Sequence, residues 1–308
     1  MPTTPDARER RFREFLDRLA RAVGHEDRRE PLRAYLTGLC LAGERKSIEP
    51  MAARIEPRRV QARHQSMHHF VANAPWKDAA VLGVARDLVL DQMERHGPVA
   101  AWVVDDTGLP KKGEHSVGVA RQYCGVLGKQ DNCQVVVSIS LANDAISVPV
   151  AYQLYLPAAW AKSRPRRRAA GVPPEITFRT KWQIALERIR GLRTAGLPPA
   201  PVVADAGYGV ITEFRDQLTA LGIPYLVGVT GETTVWRPGE QPLPPKRAGG
   251  RGRPATLLRR SLRHRPVSVA ALATSLPTSR WQTVTWREGT PRGDALALCV
   301  LPSSPRAS

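Results

Sequence analysis

The sequence predicts an α/β chain: a mixed sheet with flanking helices, preceded by an all-helical region and carrying a basic insertion. Three observations lead there. Apolar residues recur at helical spacing through the first hundred positions, the period then shortens to that of strands, and beyond Phe178 helical and strand patterns alternate. With 308 residues, 42% of them hydrophobic, the chain can bury one large domain or two smaller ones.

Taken in order, residues 7–23 form an amphipathic helix, with Phe12, Phe15, Leu16, Leu19 and Val23 on one stripe and Arg11, Arg13, Arg18 and Arg21 on the other. A second helix is predicted at 30–42, where Leu32, Tyr35, Leu36, Leu39 and Cys40 recur. Two shorter ones follow within 47–70, and a longer one at 77–96 is stopped by Gly97-Pro98. Such a basic helical module is built like a DNA-binding region, although a solvated arginine face gives the same pattern.

From residue 100 the pattern is that of strands. Ala100–Val104 is a short apolar run ending in Asp105 and Asp106. Cys133–Leu141 and Ile146–Leu156 form a hairpin about the turn Ala142-Asn143-Asp144. The Pro/Arg-rich stretch 162–175 reads as flexible surface. A helix at 178–194 follows, with Trp182, Ala185, Leu186 and Ile189 on one side. Then come a buried strand at 201–204 ending in Asp205, a helix at 210–221 and a strand at 224–229. Strands first as a meander and then alternating with helices imply a mixed sheet.

Between 231 and 287 the alternation breaks. No Asp or Glu occurs from Gln241 to Arg287, while Arg251, Arg253 and their basic neighbours crowd among prolines and glycines. This reads as an exposed insertion that meets phosphates, or as a basic linker. The expected organisation is a helical region at 1–97, a sheet-bearing core at 98–230, a basic insertion at 231–290 and a divergent tail at 291–308.

Charge narrows the partner. There are 46 Lys and Arg against 28 Asp and Glu, a net charge of +18, which favours nucleic acid over an anionic membrane. No apolar run is long enough to span a bilayer, and the charged N-terminus lacks the core of a secretion signal. The four cysteines form no CxxC pair, so neither a disulfide framework nor a zinc knuckle is expected, and a reduced, cytoplasmic protein fits.

Two phosphate loops fail on inspection. Gly125 to Lys129 ends like a P-loop, but Tyr123 stands where the first glycine belongs and Gln130 where Ser or Thr is required. Gly207-Tyr208-Gly209 lacks the third small residue of a dinucleotide fingerprint, because Thr212 occupies that position. The carboxylates are more promising. Asp105 and Asp205 each end a predicted strand, and carboxyl ends of neighbouring strands in such sheets open on one crevice. Two aspartates there can share divalent cations that hold a phosphodiester. Against this, Asp105-Asp106-Thr107-Gly108 also fits a simple turn, and Asp205-Ala206-Gly207 a helix cap. Lys111, Lys112, Arg121 and Lys129 are candidates to grip DNA phosphates, or parts of a solvated loop. Trp236 could stack on a base or simply pack.

The stretch DDTGLPKKGEHSVGVARQYCGVLGKQDNCQ, with VADAGYG downstream, resembles the DDE transposases of bacterial insertion sequences, specifically the insertion-sequence 701 family. RKSIEPMAARI (45–55) and QARHQSMHHFVANAPW (61–76) resemble the same family's N-terminal region, so the likeness runs to about Arg287. It implies an RNase H-like catalytic fold and an Asp–Asp–Glu triad holding magnesium or manganese. It also implies a reaction that cleaves transposon ends and joins them to target DNA. By position, Asp105 matches the first aspartate and Asp205 the second. Asp106 is the alternative first ligand, which strand alternation would turn to the other face. The partners implied are duplex DNA, as terminal inverted repeats and target, and a second copy in a homodimer.

The third carboxylate has no convincing match. Glu213 and Asp216 fall in the helix directly after Asp205, Glu232 and Glu240 in the insertion, and Glu288 and Asp294 near the tail. The tail PRGDALALCVLPSSPRAS departs from the family, so the sequence predicts that the C-terminal part of the catalytic fold is missing. The rival expectation is accordingly a truncated, catalytically inactive DNA-binding remnant.

Overall fold

The computed structural model describes residues 5–245, 259–285 and 295–298. The chain forms two compact units: residues up to Val203 together with Gln217–Tyr225, and Ala204–Asp216 together with the residues from Leu226 onward.

Five helices open the first unit: α1 (Pro5–Ala22), α2 (Glu26–Cys40), α3 (Ile48–Ile55), α4 (Val60–Ala72) and α5 (Asp78–Glu94). The stripe predicted for α1 is its inner face. Leu16, Leu19 and Val23 are buried while Arg11, Arg13, Arg18 and Arg21 are exposed. Leu19, Ala20 and Val23 pack with Leu32 of α2 and Phe70 of α4, and Trp76 stacks on Phe70 at 5.4 Å. Helix α2 starts before the predicted residue 30 because His25 caps it, accepting from the Asp27 N–H at 3.3 Å, and the helix accommodates Pro31 inside its length. Ala34, Met51, Ala52 and Met67 close a second small core between α2, α3 and α4. Gly38 permits that contact, since a Cβ there would lie 2.8 Å from the Met51 Cβ.

The strands are β1 (Ala101–Pro110), β2 (Ala120–Cys124), β3 (Lys129–Ala142), β4 (Ser147–Leu154), β5 (Val202–Ala204) and β6 (Tyr225–Val227). They form one mixed sheet ordered β2-β3-β1-β5-β6, with β4 also paired to β3. Strand β3 is the template: β1 lies antiparallel along Cys133–Ala142, β2 along Lys129–Cys133 and β4 along Val136–Ala142. Every second residue of β3 from Cys133 to Leu141 is buried, as alternation requires for a sheet with one face in the core.

The predicted end of β1 at Asp105 is too early. The strand continues through both aspartates to Pro110 because β3 is long enough to pair with all ten residues. Asp105-Asp106-Thr107-Gly108 is therefore strand and not turn. Gly108 is buried, and a Cβ there would meet the Cys124 Sγ at 2.8 Å, so close packing explains this glycine.

After the short helix α6 (Ala158–Lys162), the stretch 162–175 read as flexible surface contains a second short helix, α7 (Arg164–Ala169). Trp160 anchors them. It is fully buried, its indole N–H donates to Val119 O at 2.7 Å, and the Arg166 guanidinium stacks 4.0 Å from its ring. Helix α8 (Lys181–Thr194) follows, packing Ile184, Ala185, Leu186, Ile189 and Leu192 inward.

In the second unit, Asp205 leads into α9 (Ala206–Gly209), and α10 (Thr212–Ala220) begins there. Beyond β6 come β7 (Thr234–Val235), β8 (Val267–Ser268), α11 (Val269–Ser275), β9 (Gln282–Thr285) and β10 (Ala295–Leu298). β7 pairs with β8 and β9 with β10, each antiparallel. The predicted insertion thus contains small structured pieces. Trp236 lies 4.9 Å from the His264 ring, the packing alternative raised for it. The α/β class, the mixed sheet and the helical start agree with an RNase H-like fold.

Candidate functional site

On β1, alternation sets the two aspartates on opposite faces. Trp102, Val104 and Gly108 are buried on one face, and Asp106 shares it; Asp105 shares the other with Val103 and Thr107. Across the ladder, Asp106 pairs with fully buried Val137, while Asp105 pairs with half-buried Ser138. Asp106 therefore sits at the rim of the core and Asp105 in solvent.

Their partners differ accordingly. Asp106 Oδ2 accepts from Lys181 Nζ at 2.7 Å, and both side chains are about one-third exposed or less. Lys181 is the first residue of α8, where the helix dipole disfavours a cation, so the carboxylate offsets a local electrostatic cost. The same ammonium lies 5.7 Å from the Tyr155 ring. Asp105 has a different environment. Its Oδ1 accepts the Asp106 N–H at 2.7 Å, and among the described residues no cation pairs with it.

Asp205, in the second unit, is the exposed N-cap of α9 and accepts the Gly207 N–H on Oδ1 at 2.9 Å. Gly209 of VADAGYG and Gly228 pack backbone against backbone. A Cβ on Gly209 would lie 1.8 Å from Gly228 O, and one on Gly228 2.8 Å from Ala206 N. Tyr208 and Phe214, both buried, fix the segment from beneath with ring centroids 5.7 Å apart. The turn that carries Asp205 is thus held by close packing, which the rejected nucleotide-fingerprint reading of Gly207-Tyr208-Gly209 does not require.

The basic candidates gather around one end of β3. Asn132 is the register partner of Arg121, and its Nδ2 donates to Lys111 O at 2.8 Å and Gly113 O at 2.9 Å. Lys111, Lys112, Arg121 and Lys129 are all exposed. Lys129 is drawn toward Asp131 at 3.2 Å. The Asn132 N–H, followed by that ammonium, holds the Asp131 carboxyl below the usual carboxylate range. Six strand steps separate Asp105 from Lys111, roughly 20 Å, so these cations stand well away from that carboxylate. Arg251 and Arg253 lie outside the described residues.

Cys124 and Cys133 are buried free thiols, and burial pushes the Cys133 thiol up, which suits packing rather than metal binding. Among the described residues no three His, Cys, Asp or Glu side chains gather as a metal cluster. Nor is any described helix long and apolar enough to cross a membrane. Sequence reading missed Lys181, whose signal was a cation at a helix start where an acidic residue is favoured.

The model of a family described as DDE superfamily endonucleases matches residues 18–293. A relative from Microchaete diplosiphon, described as the probable transposase for insertion sequence element IS701, is 30% identical over 196 residues. The match covers 63% of this chain and 47% of that relative, so the chain spans about half its length.

Proposed function

Because the chain belongs to the DDE superfamily endonucleases, we propose that it is an insertion-sequence transposase that cleaves transposon ends and joins them to target DNA. The observation that carries this is the family match across residues 18–293, which includes both candidate aspartates. Its partners are then the terminal inverted repeats and a target duplex, with a homodimer as the working form.

In this reading Asp105 and Asp205 hold divalent metal, magnesium or manganese. Both are exposed carboxylates with one oxygen oriented by a backbone N–H and the other without a hydrogen bond among the described residues. Hard, open oxygen donors of this kind suit those cations. When bound, such a cation lowers the pKa of an attacking hydroxyl and stabilises charge on the leaving oxygen. In cleavage, a water oxygen bonds to phosphorus, the phosphorus–O3′ bond breaks and a 3′-hydroxyl is released. In joining, the oxygen of that 3′-hydroxyl bonds to a target phosphorus while the target's own phosphorus–O3′ bond breaks, and the proton passes to the released target 3′-hydroxyl by way of solvent. The chain's own contribution is orientation: β1 and the tightly packed Asp205 turn fix their carboxylates, and Asp106 with Lys181 braces β1 against α8.

The test uses the purified chain and a supercoiled plasmid carrying the genomic DNA that flanks this gene. Magnesium-dependent nicking that is lost in both Asp105→Asn and Asp205→Asn supports the reading. Plasmid binding with no cleavage at any metal concentration overturns the catalytic part and leaves a DNA-binding protein. Loss in Asp106→Asn but not in Asp105→Asn would move the ligand to the other face of β1.

A further inference from the structure

Helices α3 and α4 are joined by only Glu56-Pro57-Arg58-Arg59 and pack together on α2 through Met51, Ala52, Met67 and Ala34. This is a three-helix arrangement in which the third member is held by one side. The inner positions of α4 are Val60, Arg63, His64, Met67 and Phe70, all buried or half-buried. Ser66 is half-buried as well, and Gln61, Ala62, Gln65, His68, His69, Val71 and Ala72 are exposed, with Gln61, Gln65, His68 and Ala72 following one another in an outer stripe at helical spacing.

The helix is also locked. Arg63, on the inner face, donates to Glu56 Oε2 from Nη2 at 2.7 Å and from Nε at 3.0 Å, and pairs with Glu30 of α2. Those two acids are used up inside the module. From Pro57 to Lys77 the sequence contains no Asp or Glu. At the start of α4, Arg58, Arg59, Gln61 and Gln65 line an open trough of about 560 Å³. The neighbouring depression toward α2 holds a carboxylate, Asp27, which His25 faces at 3.4 Å.

We propose that α4 enters the major groove of duplex DNA and reads base edges with Gln61, Gln65 and His68, while Arg58 and Arg59 grip the flanking phosphates. An α-helix fits the major groove, and a helix packed on one side by its turn partner presents its free stripe there. Glutamine is suited to adenine, whose N6 and N7 it can contact together. Residues 61, 65 and 68 follow one side of the helix, so they would meet successive base pairs. The acid-free stripe and the two arginines at its start match a polyanion. This inference rests on the reading that the chain acts on DNA, and it adds which helix recognises sequence.

The test selects duplexes from a random 20-base-pair library with the full chain, then measures affinity for the selected duplex and for a scrambled one. All the substituted residues are exposed, and thermal melting checks that each variant is folded. Gln61→Ala/Gln65→Ala should lose about 5- to 150-fold on the selected duplex per lost bidentate contact and little on the scrambled one. Arg58→Ala/Arg59→Ala should weaken both alike and reduce the slope of log affinity against log salt by about two. If folded Gln61→Ala/Gln65→Ala keeps the parent's preference, or if the full chain selects no sequence, the proposal is wrong. Absence of cleavage with an intact α4-dependent preference would overturn only the proposed catalytic function.

Discussion

The ammonium of Lys181 lies 2.7 Å from Oδ2 of Asp106, which ties the first residue of α8 to the middle of β1. The pair is neither fully exposed nor fully buried, so its worth falls between the two regimes known for ion pairs. Asp106→Asn or Lys181→Met should each cost about 1–2 kcal/mol in urea denaturation. The double variant should cost less than the sum, because the stranded partner is gone. Strict additivity would show that the contact contributes nothing.

Metal dependence separates the two aspartates of β1. On the proposed assignment, Asp105→Asn lowers the cleavage rate by roughly a thousandfold, the scale of losing several kcal/mol of charge stabilisation. Asp106→Asn acts on stability first and should retain cleavage at low temperature. Rates measured at two temperatures with both variants distinguish these effects.

Two glycines should respond to alanine with opposite signs. Gly209→Ala forces a Cβ against Gly228 O, and overpacking of this kind costs about 1–3 kcal/mol or more. Gly191, exposed inside α8, has nothing near its Cβ position, so Gly191→Ala should gain about 0.5–1 kcal/mol from helix propensity. Thermal melts of the two variants read both signs directly.

Trp160 gives a test of the α6–α7 corner. Trp160→Phe retains most of the apolar contact but removes the indole N–H, leaving Val119 O without that donor. The expected cost is about 1–3 kcal/mol, the penalty for an unsatisfied buried acceptor. A change within error would mean that water replaces the indole.

Much of the architecture was legible from spacing. The α1 stripe, the β3 alternation and the inward side of α8 each follow from a period that burial imposes on the residues themselves. What escaped the sequence depends on partners distant along the chain. β1 ends where β3 stops pairing with it, so two charges, a glycine and a proline could not mark its boundary. β2 has no apolar alternation of its own and exists because Lys129–Cys133 offers it a ladder. The Pro/Arg-rich stretch looked like loose surface because a single tryptophan, Trp160, supplies its anchor. At the candidate site, both aspartates were visible as charges following apolar runs. Lys181 was not, since the meeting of a helix start with Asp106 is a fact of three dimensions.

Strand β3 carries one more consequence. From Val136 to Ala142 it is hydrogen-bonded on both edges, to β1 on one side and β4 on the other. Its backbone groups alternate between the two: even-numbered residues face β1, as Asn132 O does in accepting the Lys111 N–H, and odd-numbered ones face the β4 side, as Val135 O does in accepting the Tyr155 N–H. Amide hydrogens of Val136, Ser138 and Ser140, which face the interior strand β1, should therefore exchange with solvent only when the whole unit opens, giving protection equal to its global stability, while those facing β4 exchange sooner. Those of β2, a margin strand five residues long, should exchange far sooner. The antiparallel half of the sheet thus behaves as a single cooperative block, and damage anywhere along β3 is felt by all three strands it organises.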